Sequence, residues 1–276
     1  MSEKFSDPLY LAQVQYATLD NLAARRKILE FSIPRFDIHT DGIHILHLAG
    51  NESILEVGCG DGSVLLNLRK EQHHQGRLVG IDLSKGMFSK TDTLQKQLSI
   101  KPPIEFLEQS ADVLPFLDNS FDCILSFFMV YHMPDIEKAL TEWKRILKLK
   151  GKIIIATFSQ EDKPKLKLLK KEILDLIGKK VPPQFSSRFN FERGKEMLPS
   201  FFTLVEEYIY ESEIRLPYAQ PYLDMFHSIR GFFDPNPTDQ EWNHVLDKVR
   251  SVIEKEIKEK KYFTDKLKAG FFVCTK

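Results

Sequence analysis

Apolar residues recur at Leu11, Val14, Leu19, Leu22, Ala23, Ile28 and Leu29. This spacing predicts an amphipathic cap helix over residues 9–31, with Pro34 forbidding its continuation. A second helix is predicted over 41–49, stopped at Gly50 as a C-terminal glycine would suggest. Short apolar runs then alternate with helical patterns: strand 53–57, helix 63–71, strand 78–81, helix 85–98, strands 104–108 and 121–127, helix 136–148 and strand 152–158. Strands alternating with helices imply parallel pairing and a doubly wound α/β sheet. In the 136–148 helix, Asp135 suits the N-cap, and Ile136, Ala139, Leu140, Trp143, Ile146 and Leu147 trace one core-facing stripe before Gly151 stops it.

After Ser159 the pattern changes. A Lys-rich helix is predicted over 163–177, with Leu166, Leu169, Ile173, Leu174 and Ile177 inward and Pro182-Pro183 breaking it. A helix over 191–202, a long strand over 203–216 and a last strand over 270–275 follow. Between those two strands lies a helical insert, about 217–268, whose first helix carries Tyr218, Tyr222, Met225, Phe226, Ile229, Phe232 and Phe233 close to one face. Such a stripe either packs the insert onto the core or forms a lid over a pocket. The lysine runs at 144–152, 163–171 and 255–268 are interleaved with apolar or acidic positions and read as solvated helix faces.

Candidate chemistry begins at Ile54-Leu55-Glu56-Val57-Gly58-Cys59-Gly60-Asp61-Gly62-Ser63, where an apolar strand empties into a turn with glycine at alternate positions. Such a turn lets a ligand lie against bare backbone, with Glu56 placed to meet a positive charge. A dinucleotide fingerprint wants G-x-G-x-x-G, or a final Ala, whereas Ser63 stands at the third position and Gly62 comes one step early. About 20 residues on, Gly80-Ile81-Asp82-Leu83-Ser84 offers an acid at the spacing that meets ribose hydroxyls, or else a helix cap. Asp112, in Ser110-Ala111-Asp112-Val113-Leu114-Pro115-Phe116, follows a further strand; by itself it is turn chemistry. The strand ending near Ser126 and Phe127 leads into Met129-Val130-Tyr131-His132, beyond the carboxyl end where open α/β sheets bind ligands.

These four motifs, in this order between about Asn51 and Phe158, closely resemble those of class I S-adenosylmethionine-dependent methyltransferases. Tyr16-Ala17-Thr18-Leu19-Asp20-Asn21-Leu22-Ala23-Ala24-Arg25 also looks like the helix before the core in a set of small bacterial members. The resemblance implies a Rossmann-like, mostly parallel sheet with an antiparallel C-terminal strand, a helical cap over 1–50, a cofactor core over 51–158 and the rest of one domain over 159–276. It implies S-adenosyl-L-methionine as cofactor, held by Glu56, Gly58, Cys59, Gly60, Gly62, Asp82, Leu83, Met87, Ser126 and Phe127. Asp112 with the Val113 amide would take the adenine edge. Arg25, with Tyr16 about nine residues away on the same face, would neutralise the cofactor carboxylate. His132 is the candidate base for an acceptor that must lose a proton, with Tyr131 beside it; His132 otherwise fills the loop structurally.

The 276 residues carry 39 Lys+Arg and 39 Asp+Glu, so the zero formal charge argues against a polyanionic partner and favours a small-molecule acceptor. RNA-directed methylation, or less favourably an NAD(P)-dependent oxidoreductase, is the alternative. Three scattered cysteines do not make a disulfide framework, and no apolar run reaches the roughly 18 residues of a membrane span. A cytoplasmic monomer or homodimer is expected. His39, His44, His47 and the His73-His74 pair lack the Cys or Asp neighbours of a metal site, and none is expected.

Overall fold

Runs of Ile, Leu and Val that can be buried on both faces form the centre of a parallel sheet, and here they do so between two helical layers. The computed structural model describes residues 6–16, 19–176, 178, 185–233 and 236–276. The chain enters through α1 (Pro8–Tyr10), a π-helical turn at Leu11–Gln15, α2 (Asp20–Lys27), a 3-10 turn at Ile28–Phe31, β1 (Ser32–Ile33) and α3 (Ile38–Leu46). Alternation gives β2 (Ile54–Val57), α4 (Ser63–Lys70), β3 (Leu78–Asp82), α5 (Lys85–Gln97), β4 (Glu105–Glu108), β5 (Phe121–Phe127), α6 (Ile136–Ile146) and β6 (Leu147–Phe158). Then come α7 (Pro164–Leu176), α8 (Phe191–Met197), β7 (Leu204–Leu216), α9 (Gln220–His227), α10 (Asp239–Lys260) and β8 (Phe263–Thr275).

The eight strands among the described residues form one sheet in the order β1-β7-β8-β6-β5-β2-β3-β4. β6, β5, β2, β3 and β4 pair in parallel, whereas β8 runs antiparallel to both β6 and β7. Alternate strand residues supply the two faces: Leu55, Val57 and Ile153 join a core with Trp143 of α6, while Ile54, Leu125 and Ile154 join one with α3 and α4. A third core packs α9 against α10, around Tyr222, Phe226 and Trp242.

The predicted cap helix is broken. Tyr16 N donates to Leu11 O, one residue beyond the α-helical pairing, which seats Leu11 and Gln15 in the interior. The second predicted helix starts at Ile38, because the Asp37 carboxylate caps the His39 and Thr40 amides; it ends at His47, whose φ is 50°, and not at Gly50. The helix predicted to residue 148 stops at Ile146, and Leu147 already pairs with Phe121 in β6. Gly151 therefore lies inside a strand, where an added Cβ would sit 2.8 Å from Lys148 O and 2.9 Å from Asp122 O. β8 begins seven residues before the predicted 270, so the insert ends near residue 262. Asp265 hid that extension by interrupting the apolar alternation of Phe263, Leu267 and Ala269. It is buried because it accepts from the Lys165 and Leu166 amides at the start of α7 and from the Tyr222 hydroxyl. The predicted inward side chains Ile173, Leu174 and Ile177, and the break at Pro182-Pro183, lie outside what is described.

Candidate active site

At the carboxyl end of β2 the backbone must turn sharply without side chains in the way. Gly58, Gly60 and Gly62 have φ of 71°, 53° and 70°. Gly58 N and Cys59 N both donate to Ile81 O, and Gly60 N donates to Asp82 Oδ2 at 2.9 Å, which fastens the turn to β3. Asp82 Oδ1 accepts from Ser84 N at 3.0 Å, so each carboxylate oxygen already holds one backbone amide. Burial raises the Asp82 carboxyl above its ordinary range, and those amides oppose it.

Glu56, the third residue of β2, is buried, and its Oε2 has no hydrogen-bond partner among the described residues. Its carboxyl is pushed well above the usual range by burial first, then by the Asp61 charge. A buried acceptor without a donor costs about 1 to 3 kcal/mol, so a donor or cation at this point is what the geometry lacks.

The turn opens onto a cavity of about 580 Å³, within the usual span of small-molecule sites. Of the residues anticipated from sequence, it is lined by Glu56, Gly58, Cys59, Gly60, Asp82, Leu83, Met87, Phe127, Tyr131, His132, Tyr16 and Arg25. Four others do not line it. Gly62 instead stands at the N-cap of α4, and a Cβ there would lie 2.7 Å from the Phe106 ring. The Asp112 carboxylate accepts from Ser110 Oγ and Lys138 Nζ, and Val113 is largely exposed, its carbonyl accepting from Gln109. Ser126 is fully buried and its hydroxyl has no partner among the described residues. Their neighbours Gln109 and Ala111 do reach the lining.

A side-chain chain closes the cavity from the cap. Arg25 Nη1 donates to Tyr16 Oη at 3.0 Å, and that hydroxyl lies 3.0 Å from His132 Nε2. Arg25 only donates, so the Tyr16 oxygen accepts from it, and in the tautomer that leaves Nε2 unprotonated the phenol donates to His132. Arg25 also holds Ser228 of the insert through Nε to Oγ and Nη2 to the carbonyl, and so is engaged by neutral oxygens at both ends. Next to it, Arg26 pairs with Asp61 of the glycine turn at 2.6 Å.

Sequence reasoning missed several lining residues. Phe128 has φ of 57°, a costly position for a bulky side chain, and this turn after β5 sends Met129, Tyr131 and His132 into the cavity. His39 packs on Phe127 with ring centres 4.5 Å apart, and His74 pairs with Glu52; among the described residues no three His, Cys, Asp or Glu side chains could share a metal. Lys163, Lys167, Lys170 and Lys171 line the cavity too, which corrects their assignment to a solvated face. From the insert come Met225, Ile229, Phe232 and Phe233, whereas Tyr222 and Phe226 are buried away from the cavity in the third core.

Residues 55–155 match the family model described as a methyltransferase domain. A demethylmenaquinone methyltransferase of Lactiplantibacillus plantarum is 33% identical over 144 residues, which are 52% of this chain and 59% of that protein. The chain spans about half the length of the curated relatives it matches. Among solved structures, the YcgJ protein of Bacillus subtilis aligns at a TM-score of 0.57 and 19% identity over 86% of this chain and 98% of its own. A Haemonchus contortus phosphoethanolamine N-methyltransferase, in complex with phosphomonomethylethanolamine and S-adenosylhomocysteine, aligns at 0.54 and 16% identity over 99% of this chain and 60% of that one. These similarities show the class I methyltransferase fold, and the segment matched by the family model contains the glycine turn, Glu56, Asp82 and the His132 loop.

Proposed function

We propose that the protein transfers a methyl group from S-adenosylmethionine to a small-molecule acceptor. The observation that carries this reading is the partnerless Glu56 Oε2 beneath a bare glycine turn, inside the segment matched as a methyltransferase domain. The residues present fit such a cofactor: a buried acid asks for a cationic group, and the turn offers backbone for it to lie on. When bound, S-adenosylmethionine supplies a methyl group on a positively charged sulfur, ready for in-line displacement.

Gly58, Cys59 and Gly60 would cradle the amino-acid end of that group, with Glu56 paired to its positive charge. Asp82 is held by two amides and keeps lone pairs for ribose hydroxyls. Leu83 and Met87 supply apolar wall beside it, and Phe127 borders the end towards the acceptor. Arg25 and Ser228 belong with the acceptor side, because the arginine is already bound to the insert. A proton leaving the acceptor can pass through the Tyr16 hydroxyl to His132 Nε2, with Arg25 holding the phenol in line.

Tyr16, Arg25, the α7 lysines and the insert all lie outside residues 55–155. The relative named for a quinone acceptor aligns over only 52% of this chain, so that acceptor is not carried over here. Calorimetry with S-adenosylhomocysteine and with NAD tests the cofactor reading. S-adenosylhomocysteine is expected to bind and NAD to give no heat; the reverse pattern removes the proposal.

A further inference from the structure

Charge is segregated along the cavity. The Glu56 carboxyl feels Asp61, Arg26 and Asp82, whereas the Lys170 ammonium feels Arg25, Lys163, Lys167 and Asp162. Glu56, Asp61 and Asp82 border the glycine turn, whereas Lys163, Lys167 and Lys170 come from the segment that opens α7, so acids and lysines line the cavity from different elements. Lys167 and Lys170, three residues apart, share one side of α7, and Lys163, with φ of 46°, immediately precedes that helix.

Among the described residues, their partners account for one charge only. Lys163 Nζ pairs with the buried Asp162 at 2.6 Å and lies 4.5 Å from the Phe158 ring centre. Lys167 reaches the Gln160 carbonyl, and Arg25 meets only neutral oxygens and ring faces. Lys170 has neither a hydrogen bond nor an ion pair among the described residues. Burial, then the charges of Arg25, Lys163 and Lys167, bring its ammonium down to about 7. Like charges gathered in a partly dry chamber repel one another, and an anion among them relieves both the repulsion and the lost hydration. Phe158, Leu166, Ile229 and Phe232 make the remaining wall apolar.

We propose that the acceptor is an organic acid: an apolar body lying on Phe158, Leu166 and the insert, with a carboxylate or phosphate held by Lys167 and Lys170. Its role as acceptor rests on the methyl-transfer reading, and the anion site itself does not. The arrangement complements the cofactor, since a cationic group is drawn to the acids and an anionic one to the lysines. Neutral formal charge over the whole chain conceals this, because the two signs are sorted inside one cavity.

Three probes sharing one body test it by calorimetry on the full chain at about pH 6: 4-phenylbutyrate, 4-phenylbutyl phosphate and 4-phenylbutanol. The measurements are made with and without S-adenosylhomocysteine. At least one anion is expected to bind about tenfold or more tightly than the alcohol. The ratio of the two anions then distinguishes a carboxylate from a phosphate site. Lys170→Met should remove most of that preference while leaving the alcohol's affinity, the affinity for S-adenosylhomocysteine and the melting temperature close to wild type. Equal binding of alcohol and anions, absence of binding by both anions, or an undiminished preference in Lys170→Met overturns the proposal. If anions bind as expected but S-adenosylhomocysteine does not, the methyl-transfer reading fails and the anion site stands.

Discussion

Burial places the Glu56 carboxyl well above its usual value of 4.5. A carboxyl raised on folding binds protons more readily in the folded state, so its contribution to stability is full below pH 4.5 and declines as pH rises. Glu56→Gln removes that decline. The ligand-free variant is expected to melt a few degrees above wild type at pH 8, for about 1 to 3 kcal/mol, with the gap closing towards pH 4.5. The same change should weaken S-adenosylhomocysteine binding by about tenfold or more, as a charge-assisted bond is lost. Thermal scans across pH, paired with calorimetry, check both, and a variant destabilised at pH 8 would show that Glu56 has a partner after all. Gly62→Ala forces a Cβ against Phe106 at φ 70° and should cost roughly 1 to 3 kcal/mol by denaturant titration. At this scale the turn was legible, because Gly58 and Gly60 are needed wherever backbone must lie bare. Phe128 was not, since nothing in its neighbours announces a left-handed phenylalanine.

Among the elements, α9 and the turn after it divide their apolar stripe between two jobs. Tyr222 and Phe226 face Phe263 and Trp242, with ring centres 4.9 and 5.6 Å apart, while Met225 and Ile229 face the cavity. Phe226→Ala is expected to cost about 3 to 5 kcal/mol of stability with S-adenosylhomocysteine affinity unchanged, as read by chemical denaturation and calorimetry. Met225→Ala should instead raise KM for the acceptor at little cost in melting temperature, and equal effects of the two changes would erase the division. The seven apolar positions from Tyr218 to Phe233 revealed the helix, but periodicity does not say which of two neighbours each side meets. The lysines of α7 were misread for the same reason: the pattern separates polar from apolar, and a cavity lined with ammonium groups looks like solvent. The parallel strands β2, β3 and β5 were easy to find because their apolar runs are buried on both faces. The cap was harder, since Gln15 and Arg25 gain their positions from Ser228, about two hundred residues away.

In the whole molecule, three of the ties that hold the cap differ in kind. β1 pairs with β7 at Ser32 and Ile33, Gln15 and Arg25 share the Ser228 carbonyl, and Arg26 pairs with Asp61. The first two ties are backbone pairing and shielded hydrogen bonds. The third is an ion pair whose side chains are 42% and 24% exposed, so dissolved ions weaken it where they leave the others intact. Such a pair contributes about 0.2 to 1 kcal/mol. Stopped-flow release of S-adenosylhomocysteine should therefore speed up by no more than about fivefold between low salt and 1 M salt. Arg26→Ala should release it at the faster rate in both, and a variant that kept the salt dependence would place the latch elsewhere. For an enzyme whose departing product waits on that latch, ionic strength becomes a throttle: turnover at saturation would climb as ions loosen the cap, while the same ions screen the lysines that gather the acceptor. Salt would then trade residence for capture, and the concentration giving the fastest flux would shift with the acceptor supply.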